Sequence, residues 1–288
     1  MSIVPLYLYG SYEVPEVGDG ALFHYTKFKG LLAILETMTL RSSPLSRMND
    51  LNEADLSGLN WNRDFLFMNN AQSYVRNKCS VISFSQNYEY DSVCHEGSNH
   101  PALWAHYAQD SEGACIVLDK NALIDVNQDH LGNLFYRLED VKYTCDHNPR
   151  LGVMDEKYAD ISEFIHANYR KIFFKKYIDW SNEDEVRFLI ESPECFLNIM
   201  GAIKYIVLGK RLVDDVSKMQ ELLKHICNPS YKCFKYFNPH SFACMSNSQG
   251  GYFTGDASHH ILNYLECMVK CGLLMPDLAY SLYPNTLN

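Results

Sequence analysis

The stretch Trp180-Ser181-Asn182-Glu183-Asp184-Glu185-Val186-Arg187, running on into Phe188-Leu189-Ile190, places the tightest constraint on how this chain can fold. Read as a strand, it separates by period two. Val186, Phe188 and Ile190 fall on an apolar face, and Glu183, Glu185 and Arg187 fall on the other. Successive members of the charged line then stand about 6–7 Å apart. Like charges so close repel, so a fold gains little from them unless something uses the carboxylates. Two readings follow. One is a half-buried strand whose wet face carries a Glu–Arg ladder. The other is a pair of working carboxylates.

The 288 residues suffice for one large or two small domains. No apolar run is long enough to span a bilayer. The opening Met1-Ser2-Ile3-Val4-Pro5 stretch does not begin a secretory signal, so a cytoplasmic location with no membrane partner is expected. A net charge of −10 excludes a protein that coats nucleic acid through a broad positive field. Arg170, Lys171, Lys175 and Lys176 make one local basic patch, and a solvated helix face is its plainer reading. The ten cysteines form no Cys-x-x-Cys pair, and several lie in apolar runs such as Ala114-Cys115-Ile116-Val117. Reduced, mostly buried thiols are expected. Cys94, His95, His100 and His106 fit no zinc-ligand spacing, so no metal is expected.

Hydrophobic periodicity predicts strands at 21–26, 79–85, 114–119 and 203–208, with further strand material at 134–144 and 231–245. It predicts helices at 28–38, 54–77, 101–108, 160–178 and 215–226, with Thr26 capping the first. Pro44 to Glu53 reads as a structured loop. Ser246–Gly251 reads as a linker. A C-terminal helical appendage follows, so residues 1–245 form one domain and 246–288 the linker and appendage.

No glycine-rich phosphate loop and no Gly-x-Ser-x-Gly elbow is present. Trp104 and Tyr107 lie three apart on a short helix. Trp104 reads as core, while Tyr107 is divided between core and a ring offered to a flat ligand. His24 and Tyr25 point oppositely on a strand, and core packing accounts for only one of them.

Several separated blocks carry a family resemblance. They are Phe23-His24-Tyr25-Thr26, then Asn49-Asp50 with Glu53, then Ser83-Phe84-Ser85. Leu103-Trp104-Ala105-His106-Tyr107-Ala108 and the Gly113 turn follow. Trp180-x-x-Glu183-x-Glu185-x-Arg187 and Ile206-Val207-Leu208-Gly209 complete the set. In this order, over about residues 20–240, they resemble the DUF2971 family of mostly bacterial proteins. That family in turn resembles the ADP-ribosyltransferase superfamily.

The resemblance implies an α+β fold with ADP-ribosyltransferase-like split β-sheets around an NAD cleft, flanked by helices. NAD would be a consumed substrate, with no separate cofactor. The acceptor of ADP-ribose would be a macromolecule, protein or nucleic acid, or water in an NAD glycohydrolase. The setting implied is a bacterial toxin or anti-phage defence protein. Glu185 and Glu183 would be catalytic. One carboxylate would accept from a ribose hydroxyl as positive charge develops in an oxocarbenium-like state. The NAD-binding set would be His24, Tyr25, Thr26, Arg41, Arg47, Asn49, Asp50, Ser83, Ser85, Trp104, Tyr107 and Arg187. The middle position of the superfamily's three-part signature falls on Tyr107, or on Ser83 or Ser85. Arg187, Arg41 and Arg47 are alternative pyrophosphate partners. Two rivals stand beside this: a non-catalytic nucleotide- or protein-binding module, and a nucleic-acid-directed enzyme that uses the basic patch.

Overall fold

The computed structural model describes residues 6–8, 18, 20–48, 56, 65–145, 158, 160–226, 228 and 230–235. The expected linker and appendage at 246–288, the boundary at 245, and Asn49, Asp50 and Glu53 lie outside them. The described residues form a mixed α+β structure with antiparallel sheet and several helices. The chain divides into two compact units. One is drawn from Met1–Thr39, Asn87–Val126 and Ile199–Asn288, the other from Leu40–Gln86 and Asn127–Asn198.

In the first unit, Ala21–Thr26 runs antiparallel to Ala114–Asp119, which runs antiparallel to Ile203–Leu208. Leu6–Leu8 joins Ile203–Leu208 in parallel. Alternation places Ala21, Phe23 and Tyr25 on one face with Cys115, Val117, Tyr205 and Val207, against Trp104 and Ala108. Phe28–Thr37 forms the next helix, burying Phe28, Leu31, Leu32, Ile34 and Leu35 and ending at Met38 in a left-handed cap. Thr26 does not cap it. Lys27 takes that position without a side-chain bond, because Thr26 is still the last residue of the strand. Asp215 opens Val216–Ile226 by accepting from the backbone amides of Ser217 and Lys218.

Glycine is required at two strand ends. A Cβ at Gly113 would lie 2.0 Å from the Thr26 carbonyl oxygen, and one at Gly209 would lie 2.2 Å from that of Ser111. Gly209 N donates to Gly113 O at 2.9 Å, so these chain segments meet backbone to backbone. The preceding turn holds Gln109, Asp110 and Ser111 all at positive φ, a conformation that costs each non-glycine residue about 1–2 kcal/mol.

In the second unit, Ser80–Ser85 pairs antiparallel with Glu185–Ile190, which pairs antiparallel with Tyr136–Asp140. Ser43–Pro44 pairs antiparallel with Ser80–Ser85. Helices Phe65–Lys78 and Ile161–Phe173 pack together over a core that includes Val75, Val81, Phe164, Phe173 and Leu189. Asp160 caps the second of these helices through the Glu163 amide.

The helix expected at 54–77 is described from Phe65 onward and runs to Lys78. The helix expected over 160–178 stops at Phe173. Lys175–Tyr177 is extended instead and pairs in parallel with Lys142–Thr144. The strand expected at 134–144 is two strands, broken at Val141, whose amide turns to the Glu185 carbonyl. In the stretch expected as strand at 231–245, Lys232–Lys235 is a 3-10 turn, and 236–245 lies outside the described residues.

Candidate active site

The strand proper begins at Glu185, and every residue from Glu185 to Ile190 is buried. The face expected to be wet therefore carries no surface ladder. Glu185, Arg187 and Leu189 share one face by period two, and Leu189 belongs to the core beneath the two helices. Glu185 is 3% exposed and Arg187 1%. A single strand's alternation cannot show what packs over it. Here the end of Ile161–Phe173 and the Lys142–Thr144/Lys175–Tyr177 pair supply the cover.

Ions in such a place need partners. Arg187 Nε donates to Glu185 Oε1 and Nη2 to Oε2, both at 2.8 Å. This is the bidentate fork that guanidinium geometry favours. Arg187 Nη1 donates to the Phe173 carbonyl at 2.7 Å. That carbonyl closes a helix, where the backbone dipole presents negative charge.

Glu183 is not on the strand. It ends the 3-10 turn Ile178–Glu183, and Asp184 follows in a left-handed conformation at φ 43 and ψ 49. The expected straight line of three charges is therefore kinked. Lys176, read from sequence as part of an exposed patch, is buried inside the kink. Its Nζ donates to Glu183 Oε2 at 2.6 Å and to Glu185 Oε2 at 3.4 Å. The Trp180 ring covers the ammonium at 4.8 Å. Two carboxylates and two cations thus neutralise one another. Lys176, Trp180 and Tyr143 are the members that sequence reasoning left out of the site. Alternation along Lys175-Lys176-Tyr177 was the available signal, since it turns Lys176 opposite to its neighbours.

The sheet adds serines. Ser85 stands across from Glu185 in register, and Ser83 across from Arg187. The Ser83 hydroxyl donates to the Glu185 carboxylate. Ser85 is buried, while Ser83 is half-buried. Tyr143 accepts from the Glu185 amide at 2.9 Å, and burial raises its phenol. Burial by itself would raise the Glu185 carboxyl too. The charge and hydrogen bonds of Arg187, with help from Lys176 and Ser83, outweigh that and hold it down at about 2. Arg187, Lys176 and Ser83 between them occupy about all four lone-pair positions of this carboxylate.

The remaining expected site residues divide as follows. His24, Tyr25, Thr26, Trp104 and Tyr107 belong to the first unit. Tyr25 faces the core, donating through its hydroxyl to the Gly97 carbonyl at 2.6 Å and meeting Trp104 edge-on. His24 takes the opposite face of that strand. Trp104 is 1% exposed, and its Nε1 donates to the Ser98 carbonyl at 2.8 Å. A ring so enclosed offers no face for stacking, so its expected NAD contact is replaced by a core role. Tyr107 is half-buried at the end of Pro101–His106. Arg41 is exposed, 3.6 Å from Glu194, and the exposed Arg47 ends the 3-10 turn Leu45–Arg47.

Two members of the basic patch are committed elsewhere. Lys176 is in the buried cluster, and Arg170 forms a two-pronged pair with Glu139. Among the described residues no group of three or more His, Cys, Asp or Glu is placed to hold a metal ion. No described helix is long and apolar enough to cross a membrane. The described cysteines are free thiols. Four are buried, whereas Cys94 and Cys145 are exposed.

Residues 103–188 match the model of the family described as a protein of unknown function, DUF2971. That span holds the Trp104–Tyr107 helix end, Lys176 and the Glu183–Arg187 stretch, and does not reach His24 or Ser83. No curated protein and no solved structure matches the chain.

Proposed function

We propose that this protein cleaves the nicotinamide–ribose bond of NAD and passes ADP-ribose to a macromolecular acceptor or to water, on an ADP-ribosyltransferase-like fold. The observation that carries the reading is the Glu185 carboxylate, buried, held ionised and hydrogen-bonded to Ser83 of the neighbouring strand. A buried charge-balanced cluster stabilises a fold little better than well-packed apolar groups, so its presence argues for use. The same strand pairing favours a serine over Tyr107 for the middle position of the signature.

Ser83 is the partly exposed donor to Glu185, so a ribose hydroxyl approaches from its side and takes over its hydrogen bond. As the C–N bond breaks, its electron pair leaves with nicotinamide, and the ribose ring carries the positive charge. Glu185 stabilises that charge through the hydroxyl it holds. The acceptor or water then adds to the ribose carbon and releases a proton. A bacterial toxin or anti-phage effector remains the setting that the family resemblance suggests.

One observation favours a non-catalytic binding module instead: Glu185's acceptor positions are already taken by protein donors. Incubation of the purified protein with NAD, following free nicotinamide by chromatography with and without cell extract as acceptor source, separates the two. Catalysis predicts time-dependent release. NAD bound in calorimetry with no release under any condition would leave the binding module.

A further inference from the structure

We propose that Lys176 is a positioning residue that divides the work of the two glutamates, holding Glu183 on its ammonium and so reserving Glu185 for the ribose. This rests on the NAD-cleaving reading above. The left-handed Asp184 carries the argument first. On a continuous strand, residues 183 and 185 would stand in line, about 6–7 Å apart. The kink instead turns both carboxylates to one ammonium. Asp is among the few residues that enter this conformation readily.

The sharing is unequal. Lys176 lies 2.6 Å from Glu183 and 3.4 Å from Glu185, whose oxygens Arg187 already holds at 2.8 Å. Glu183 thus belongs to Lys176 and Glu185 to Arg187. The Trp180 ring lies over the ammonium at 4.8 Å. The groups facing the pair come from every surrounding element. Arg187 is on the same strand, Ser83 on one neighbour, and Glu139 stands opposite Arg187 on the other, its carboxylate held by Arg170 and Tyr169. Tyr143, Lys176 and Asp184 also lie beside the pair.

Without Lys176, two carboxylates share one guanidinium, and one of them takes up a proton at higher pH. The test is the pH dependence of nicotinamide release by the full chain. Lys176→Met should move the acid limb upward by about 1 pH unit or more, and Lys176→Arg should bring it back. The double variant Lys176→Met/Glu183→Gln removes one charge of each sign. Whatever release it retains should follow the wild-type acid limb.

A Lys176→Met profile superimposed on wild type, or a double variant shifted like the single one, overturns the proposal. Should the single variant fail to fold, the double variant decides by the position of its acid limb: a wild-type limb supports the proposal, and a shifted limb overturns it. Absence of release from the wild type overturns the NAD reading and this inference with it. Release with an unmoved limb overturns this inference alone.

Discussion

Arg187 grips both carboxylate oxygens of Glu185, two residues away on its own strand, with both side chains enclosed. Removing the guanidinium leaves Glu185 buried with the one ammonium, Lys176, that it shares with Glu183. Arg187→Met should therefore destabilise the protein by about 3–5 kcal/mol. Arg187→Lys should restore only part of that, since an ammonium cannot make the fork. Denaturant midpoints at constant slope measure both.

The depressed Glu185 carboxyl makes stability depend on acid. Its value falls from 4.5 in the ordinary state to about 2 in the folded one. The folded state therefore binds fewer protons, and this contribution is present above pH 4.5 and lost as pH falls toward 2. Unfolding free energy followed across that window should slope downward with acid in the wild type. The slope should flatten in Glu185→Gln.

Gly113→Ala and Gly209→Ala should each cost about 1–3 kcal/mol or more, as overpacking does. The obstructing atoms are the Thr26 and Ser111 carbonyl oxygens, which are backbone and cannot swing aside. Thermal melts of the two variants check this, and a Gly113→Ala melt equal to wild type would contradict it.

Trp104→Phe keeps an aromatic ring but removes the five-membered half of the indole, and with it the donor to the Ser98 carbonyl. An unmet buried acceptor costs about 1–3 kcal/mol. Stability should fall by at least that amount, since the lost ring also leaves a cavity, while KM for NAD stays unchanged, because Trp104 is core. A raised KM with unchanged stability would instead make it a stacking residue.

The strands at Ala21–Thr26, Ser80–Ser85, Ala114–Asp119 and Ile203–Leu208 were legible because alternating or continuous apolar runs imprint directly on sequence. The helix boundary at Phe173 was not. Lys175 and Lys176 extend a helical pattern as well as they begin a strand, and pairing with Lys142–Thr144 decides between them. Period two correctly put Glu185 and Arg187 on one face. It gave no sign that a helix end would cover that face, because the cover comes from distant chain segments. Glu183 was misplaced for a local reason, since nothing in Glu-Asp-Glu announces that Asp184 turns left-handed. Lys176 was read as surface because lysine usually is, and only its meeting with two carboxylates accounts for its burial.

The most direct measurement compares nicotinamide release from NAD by wild type and Glu185→Gln, with folding checked by thermal melting and NAD binding by calorimetry. Release by the wild type is expected, with a loss of about 100-fold or more in Glu185→Gln and NAD still bound. Equal release by a folded Glu185→Gln protein would contradict this expectation.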